Sequence, residues 1–296
     1  MHYCFGLEPD FGGKPWSLVH YVCVRSAIER LQPEQAFLYY EYEPGGPWWE
    51  LTRKLLTPVK IAAPRQIFGN SLKHHAHRAD IVRLEKLIAH GGIYLDADVV
   101  VHRNFDELLG HSVVLGREGV DAQFGLANAV ILAEPNASFL KRWYEEYHWF
   151  RSKGRDRYWS EHSVRLPLEL SKKHPDEITV LPHTAFYWPL WTQEHEEFLY
   201  GAPATPEQRG TFANHLYESV WWHEHLAHLT PGQVRKIESN FHHWARPYIA
   251  ELPDDYGAAS LYKQAAAWAA KHSDRIVASW REVKARLRWL KSMCST

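Results

Sequence analysis

Over its first 135 residues the chain switches between short apolar runs and stretches in which apolar residues recur every three or four positions. The runs at 2–7, 36–42, 59–62, 93–95, 113–116 and 127–133 predict β-strands, mostly buried, because a strand covered on both faces shows no polar alternation. Helical spacing at 16–31, 75–90 and 136–150 predicts three helices, with Ile81, Leu84 and Ile88 on one face of the second. The punctuation agrees with this division. Pro15 suits an early helical position, Pro33 bars further helix, and Pro44-Gly45-Gly46-Pro47 marks a turn. Gly91-Gly92 ends the 75–90 helix, since glycine enters the left-handed conformation cheaply. Strands alternating with helices predict an α/β sheet with helices on its faces. Such sheets bind ligands beyond the carboxyl ends of their strands. The second half is richer in Trp, Pro and His and reads as helices and loops packed beside the sheet, with no clear linker and no internal repeat.

Composition narrows the classes. Of 296 residues, 45% are hydrophobic and 23% charged, which excludes a disordered, collagenous or coiled-coil chain. The formal net charge of −1 gives no global field to recruit nucleic acid, so none is expected as a partner. The three cysteines, Cys4, Cys23 and Cys294, form no CxxC pair, which argues against a disulfide framework or a Cys-based zinc site. The start, MHYCFGLEPD, lacks a basic n-region and a long apolar run, and no stretch reaches 18 apolar residues. The expectation is a cytoplasmic protein.

The strongest local signal is Gly91-Gly92-Ile93-Tyr94-Leu95-Asp96-Ala97-Asp98. Two carboxylates one residue apart at the end of a buried strand repel each other unless something offsets their charge. A divalent cation does so, and Mg²⁺ or Mn²⁺ is typically shared between one or two carboxylates and a substrate phosphate. Such a site suits chemistry in which a diphosphate leaves. The alternative is a pair of solvated loop acids capping a turn.

Asp80-Ile81-Val82-Arg83, followed by Gly91-Gly92-Ile93-Tyr94-Leu95-Asp96-Ala97-Asp98-Val99, resembles the DXD sugar-binding region of GT-A glycosyltransferases. The similar group includes initiating mannosyltransferases, α1,4-galactosyl- and N-acetylglucosaminyltransferases, and the catalytic domains of clostridial glucosylating toxins. The resemblance covers about residues 71 to 133. It implies an α/β GT-A fold, Rossmann-like, with Mn²⁺ or Mg²⁺ as cofactor. It also implies a UDP- or GDP-sugar donor, a glycan or glycolipid acceptor, and transfer with retention. Asp96 and Asp98 would sit at the metal and the donor, and Asp80 and Arg83 would hydrogen-bond the donor sugar. Asn128, in Leu126-Ala127-Asn128-Ala129, resembles a family asparagine near the transferring sugar. Without the resemblance, Asp80 and Arg83 read as an i,i+3 surface ion pair, and Asn128 as a polar residue ending a loop. His215, in Asn214-His215-Leu216-Tyr217, resembles the His of a His-Leu-Trp segment that returns to the metal in several members, with Tyr217 in the Trp position. Phe5 and Gly6, at the end of the first strand, are placed where this fold lines its nucleotide.

Two histidine clusters, His74-His75-x-His77 and His223-x-His225-x-x-His228, invite a zinc reading, but neither has a Cys partner or an HExxH pattern. Trp48, Trp49, Trp188, Trp191, Trp221 and Trp222 could stack acceptor sugars or simply fill the core. Trp159-Ser160-Glu161-His162 suits an acceptor loop. The enzymatic alternative is a haloacid-dehalogenase-type phosphatase with Asp96 as nucleophile, although three strands precede a motif that such folds place near their N-terminus. A non-catalytic carbohydrate-binding protein is the other alternative. Residues 1–256 are expected to form the GT-A domain and 257–296 an amphipathic helical extension. Between Lys271 and Lys291 seven basic residues face two acids, giving that segment +5 and the remainder −6. A solvated helix packed on the domain explains it, and a peripheral contact with anionic lipid is the sharper reading.

Overall fold

The structure, a computed structural model, describes residues 1–120, 124–201 and 211–258. The first half contains β1 (His2–Cys4), α1 (Leu18–Leu31), β2 (Phe37–Tyr40), α2 (Pro47–Thr52), β3 (Thr57–Lys60) and a hairpin of β4 (Gln66–Ile67) and β5 (Asn70–Ser71). It continues through α3 (His75–His90), β6 (Gly92–Leu95), β7 (Val99–Val101), β8 (Val113–Arg117), β9 (Leu126–Ala133) and α4 (Ser138–Glu145). Beyond these come α5 (Leu166–Lys173), β10 (Thr179–Leu181), β11 (Ala213–His215) and several short helices. Of the expected basic C-terminal extension, 257–296, residues 259–296 lie outside the described residues.

Seven strands form one sheet in the order β10-β8-β9-β6-β1-β2-β3. The neighbours β3, β2, β1 and β6 run parallel, as do β10 and β8, while β9 is antiparallel to both β6 and β8. This is the α/β layout that the GT-A expectation requires. Both faces are covered, and the strands divide their side chains residue by residue. Leu95, Val114, Val130 and Leu132 enter the apolar cluster beneath α1, whereas Tyr94, Val113, Leu115 and Ile131 enter the one beneath α3 and α4. A period of two with both faces buried explains why these strands read as continuous apolar runs.

Every expected strand forms, and α3 spans the expected residues. It stops at Gly91, whose φ of 62° suits glycine and where a Cβ would come within 2.6 Å of Pro135. Two helix boundaries differ from expectation. The first helix starts at Leu18 because the Ser17 backbone N–H donates to His20 Nδ1 (3.0 Å), closing the N-terminus two residues later than expected. Trp16 stays outside it and donates its indole N–H to Thr52 on α2 (2.9 Å). The helix expected at 136–150 is α only to Glu145 and tightens into a 3₁₀ turn over Glu146–Trp149.

The strands β7, β10 and β11 were not signalled by the sequence. Strand β7 pairs antiparallel with β11, more than a hundred residues later, and this ribbon is separate from the main sheet. Helix α1 packs against it. There Ser26 receives the Val101 backbone N–H (2.9 Å) on Oγ and donates to the Cys23 carbonyl (2.7 Å), fully buried. Among the described residues no helix is long and apolar enough to cross a membrane, and Cys4 and Cys23 are buried free thiols.

Ser26→Ala removes the acceptor of a buried amide and should cost about 1–3 kcal/mol of stability. Urea unfolding monitored by tryptophan fluorescence checks this, and a variant as stable as wild type would show that the α1–β7 tie contributes nothing.

Candidate functional site

A cleft of about 580 Å³ opens at the carboxyl ends of β1 and β6. Phe5, Gly6, Asp80, Arg83, Asp96, Asp98, Asn128 and His215 all line it, so the structure brings together the eight residues expected at the metal, donor sugar and nucleotide. Phe5 and Gly6 follow β1 directly, and the Gly6 carbonyl is fixed by the backbone N–H groups of Glu41 (3.2 Å) and Tyr42 (2.9 Å).

Asp96 continues the β6 ladder by one residue, its N–H donating to the Ala129 carbonyl (2.8 Å). Asn128 owes its position to an irregularity in β9. Leu115 pairs with Ile131 but Gly116 pairs with Ala127, so the residues between bulge from the ladder. A bulge re-aims a side chain, and here the Tyr187 hydroxyl fills the gap, donating to the Ala127 carbonyl (3.0 Å) and accepting from Val130 N–H (3.0 Å). Asn128 Nδ2 then donates to Asp80 Oδ1 (2.7 Å), so Asn128 does not merely end a loop.

Asp80 and Arg83 are buried on α3, not a surface pair. Arg83 Nη1 donates to the Asn128 carbonyl (2.6 Å) and Nε to the Ala79 carbonyl (3.3 Å). Its Nη2 lies 3.2 Å from Asp96 Oδ1 and 3.7 Å from Asp80 Oδ1, with the guanidinium carbon 4.4 Å from the Tyr94 ring centre. The Tyr94 hydroxyl donates to the same Asp96 oxygen (2.7 Å). A buried cation is costly unless paired and hydrogen-bonded, and every nitrogen of this guanidinium has a protein partner.

Asp98 sits one residue further on with different company. Its Oδ2 accepts the Glu218 backbone N–H (2.8 Å) and lies 3.3 Å from His215 Nε2. The β7–β11 ribbon produces this contact, because it pairs His215 with Val99 and lets Leu216 N–H donate to the Asp98 carbonyl (2.9 Å). Burial works against the Asp98 charge, but His215 and the Glu218 amide outweigh it and hold the carboxyl below its usual range. Burial pushes Asp96 up, only partly offset by Arg83, and the Asp98 charge adds to the rise. Burial likewise lowers His215, yet the Asp98 carboxylate raises it overall.

Ligand atoms of Asp96, Asp98 and His215 lie within 4.8 Å of one another, and this is the one such group of acids, histidines and cysteines among the described residues. Two hard oxygen donors and an imidazole, whose Nδ1 is buried without a partner, fit a divalent cation such as Mn²⁺ or Mg²⁺. Three of the six clustered histidines have other neighbours. His75 faces Glu8 (3.3 Å), His77 Nε2 faces the Trp159 carbonyl (3.1 Å), and His225 faces Glu196 (2.8 Å).

Of the tryptophans, Trp48, Trp49, Trp221 and Trp222 are buried core, while Trp191, 41% exposed, lines the cleft. Trp159 and Ser160 line it as well, whereas Glu161 pairs with Arg151, and the His162 carbonyl accepts from the buried Trp143 indole (2.8 Å). Sequence reasoning missed Lys14, Glu118 and Glu218, all in the cleft wall. Only the proximity of Glu218 to His215 in sequence could have signalled one of them.

The family description "glycosyltransferase sugar-binding region containing DXD motif" matches residues 31–115. Glucan organizing enzyme 1 of Cryptococcus neoformans var. grubii is 36% identical over 271 residues, covering 86% of this chain and 71% of that protein. An uncharacterised Arabidopsis thaliana protein is 27% identical over 178 residues, 56% of this chain and 27% of its own length. Among solved structures, the bifunctional glycosyltransferase WbbM aligns over 89% of this chain and 51% of its own, at 11% identity and a TM-score of 0.48. The PaToxG glycosyltransferase aligns over 58% and 68%, at 14% identity and a TM-score of 0.41.

Because a proton on His215 competes with a cation for the same donor set, Mn²⁺ affinity should rise with pH until the raised pKa of His215 is passed and then level off. His215→Gln should flatten this dependence and weaken Mn²⁺ binding about tenfold or more. Calorimetric Mn²⁺ titrations from pH 5.5 to 8.5 check both, and a wild-type affinity independent of pH would contradict the assignment.

Proposed function

The chain belongs to the glycosyltransferases whose sugar-binding region contains a DXD motif, and from that premise we propose that it is a metal-dependent, retaining hexosyltransferase. It would move a sugar from a nucleoside diphosphate donor, UDP- or GDP-linked, to a hydroxyl of a glycan or glycolipid. The observation that carries the reading is the meeting of Asp96, Asp98 and His215 beside the Asp80–Asn128 pair on one cleft wall. The name of the Cryptococcus relative, a glucan organizing enzyme, supports a glycan acceptor.

In this reading Asp98, Asp96 and His215 hold Mn²⁺ or Mg²⁺, which when bound supplies positive charge for the departing diphosphate. Asp80 keeps Oδ2 and Asn128 keeps Oδ1 for donor-sugar hydroxyls, their other atoms being tied to each other. Arg83 is spent on protein partners and so acts on the sugar by fixing Asp80, Asp96 and Asn128. Phe5 and Gly6 line the nucleotide end, and Trp159 and Trp191 offer faces on which an acceptor sugar can stack. The acceptor hydroxyl attacks the anomeric carbon on the face from which the diphosphate leaves, and its proton passes to the departing phosphate oxygen. Catalysis is then mainly orientation and charge stabilisation. The phosphatase alternative needs Asp96 as a free nucleophile, but Oδ1 is engaged by both Arg83 and Tyr94.

Incubated with Mn²⁺ and a panel of UDP- and GDP-sugars, the protein should slowly hydrolyse one donor and release its nucleotide. EDTA or Asp98→Ala should abolish this, and Asp80→Asn should lower kcat/KM for the donor about tenfold or more while leaving nucleotide affinity nearly unchanged. Phosphate release from a phosphomonoester, or sugar binding with no turnover of any donor, would count against the transferase.

A further inference from the structure

Between β1 and α1 the chain makes a tight loop that the assignment above does not use. Phe11, Gly12 and Gly13 all have positive φ, 55°, 63° and 80°, a run that two glycines make affordable. The loop is pinned inside by Asp10, whose Oδ1 accepts the Gly12 N–H (3.1 Å) and whose carbonyl accepts the Gly13 N–H (2.8 Å). It is pinned outside by α3, where a Cβ on Gly12 would come within 2.7 Å of the His75 ring. The outcome of this geometry is that the next residue, Lys14, is delivered to the cleft wall with its Nζ 3.1 Å from Glu218 Oε2.

Glu218 links that ammonium to the cation site, because its backbone N–H is the donor to Asp98 Oδ2 (2.8 Å). Its side chain has a second partner, His20 Nε2, at 2.9 Å. The tautomer follows from the hydrogen bonds. Ser17 N–H donates to His20 Nδ1 (3.0 Å), so Nδ1 is the acceptor and the proton sits on Nε2, the nitrogen nearest Glu218 Oε1. Glu218 therefore keeps His20 as a close neighbour even if Lys14 turns elsewhere. Among the described residues the cleft is lined by three Lys or Arg side chains, Lys14, Arg83 and Arg155. Arg83 is committed to buried partners, and Arg155 lies over the Trp159 ring, 5.7 Å from its centre. Lys14 is the one that neighbours Asp98 through a shared residue, on a flexible stem that carries a compact charge with three donors.

We propose that Lys14 binds the diphosphate of the sugar donor, exchanging the Glu218 carboxylate for a phosphate oxygen while His20 retains Glu218. This rests on the donor reading given above and adds to it a residue from the amino-terminal loop. The exchange also gives the loop a purpose, since a tight pinned turn holds the ammonium near the cleft before any ligand arrives. Charge-assisted contacts of this kind are the stronger hydrogen bonds, so their loss should be readily measured.

The test is titration of UDP and GDP, each with saturating Mn²⁺, into wild type, Lys14→Gln, Lys14→Arg and Glu218→Gln, with a melting temperature for each. Lys14→Gln should weaken binding of the preferred nucleotide about tenfold, and Lys14→Arg should keep it within about threefold. Glu218→Gln, which frees Lys14 without removing it, should bind as well as wild type or better. Equal affinity in Lys14→Gln and wild type would overturn the proposal, and so would a matching loss in Lys14→Gln and Glu218→Gln, which marks a purely structural pair. If Lys14→Gln fails to fold, the Lys14→Arg and Glu218→Gln results decide alone. A wild type that binds neither nucleotide would bring down the donor reading itself, a result distinct from a wild type that binds and a Lys14 variant that is unaffected.

Discussion

Two carboxylates one residue apart at the edge of a buried sheet cannot both hold their charge unless each finds a different partner, and the rest of this site follows from how that is arranged. Asp96 turns to Arg83 and Tyr94, and Asp98 turns to His215 and the Glu218 amide. The separation leaves the acids with opposite tendencies, Asp98 held below its usual range and Asp96 pushed above it. A cation placed between them and His215 would relieve the remaining repulsion, which is the electrostatic reason to expect one there.

Two distant pieces of chain make the arrangement possible. Helix α3 supplies Arg83 and Asp80 from one side of the sheet, and the bulge in β9 turns Asn128 toward them. The β7–β11 ribbon supplies His215 from the second half of the chain. Helix α1 holds that ribbon through Ser26 and reaches Glu218 through His20, so the same helix steadies both the strand after the DXD pair and the residue that caps Asp98. The site is therefore a junction of elements, each fixed by its own buried hydrogen bonds.

Much of this was legible in the sequence. The Gly91-Gly92 stop, the apolar run to Leu95 and the acids after it identified the end of β6 and its chemistry, because helix termination and a two-face-buried strand both leave local marks. The resemblance supplied Asp80, Arg83, Asn128 and His215, and all four line the cleft. What was not legible depends on contacts that local pattern does not encode. Val99-Val100-Val101 looks like any short apolar run until β11 pairs with it from over a hundred residues away. The burial of Arg83 among Asp96, Asp80 and Asn128 cannot be told from an exposed i,i+3 pair by spacing alone. Lys14, Glu118 and Glu218 carry no motif, and only the folded cleft brings them near Asp98 and His215. The tryptophans show the converse, since Trp48, Trp49, Trp221 and Trp222 serve packing whereas Trp159 and Trp191 line the cleft, a division that composition does not reveal.

The most direct test of the central claim is a crystal grown with manganese and UDP or GDP, examined by anomalous scattering at the manganese edge. The account predicts a single strong peak in the cleft in contact with the Asp98 carboxylate, within reach of Asp96 and His215, with the diphosphate on its open side. A nucleotide bound in the cleft with manganese elsewhere, or with Asp98 turned away from it, would contradict the account.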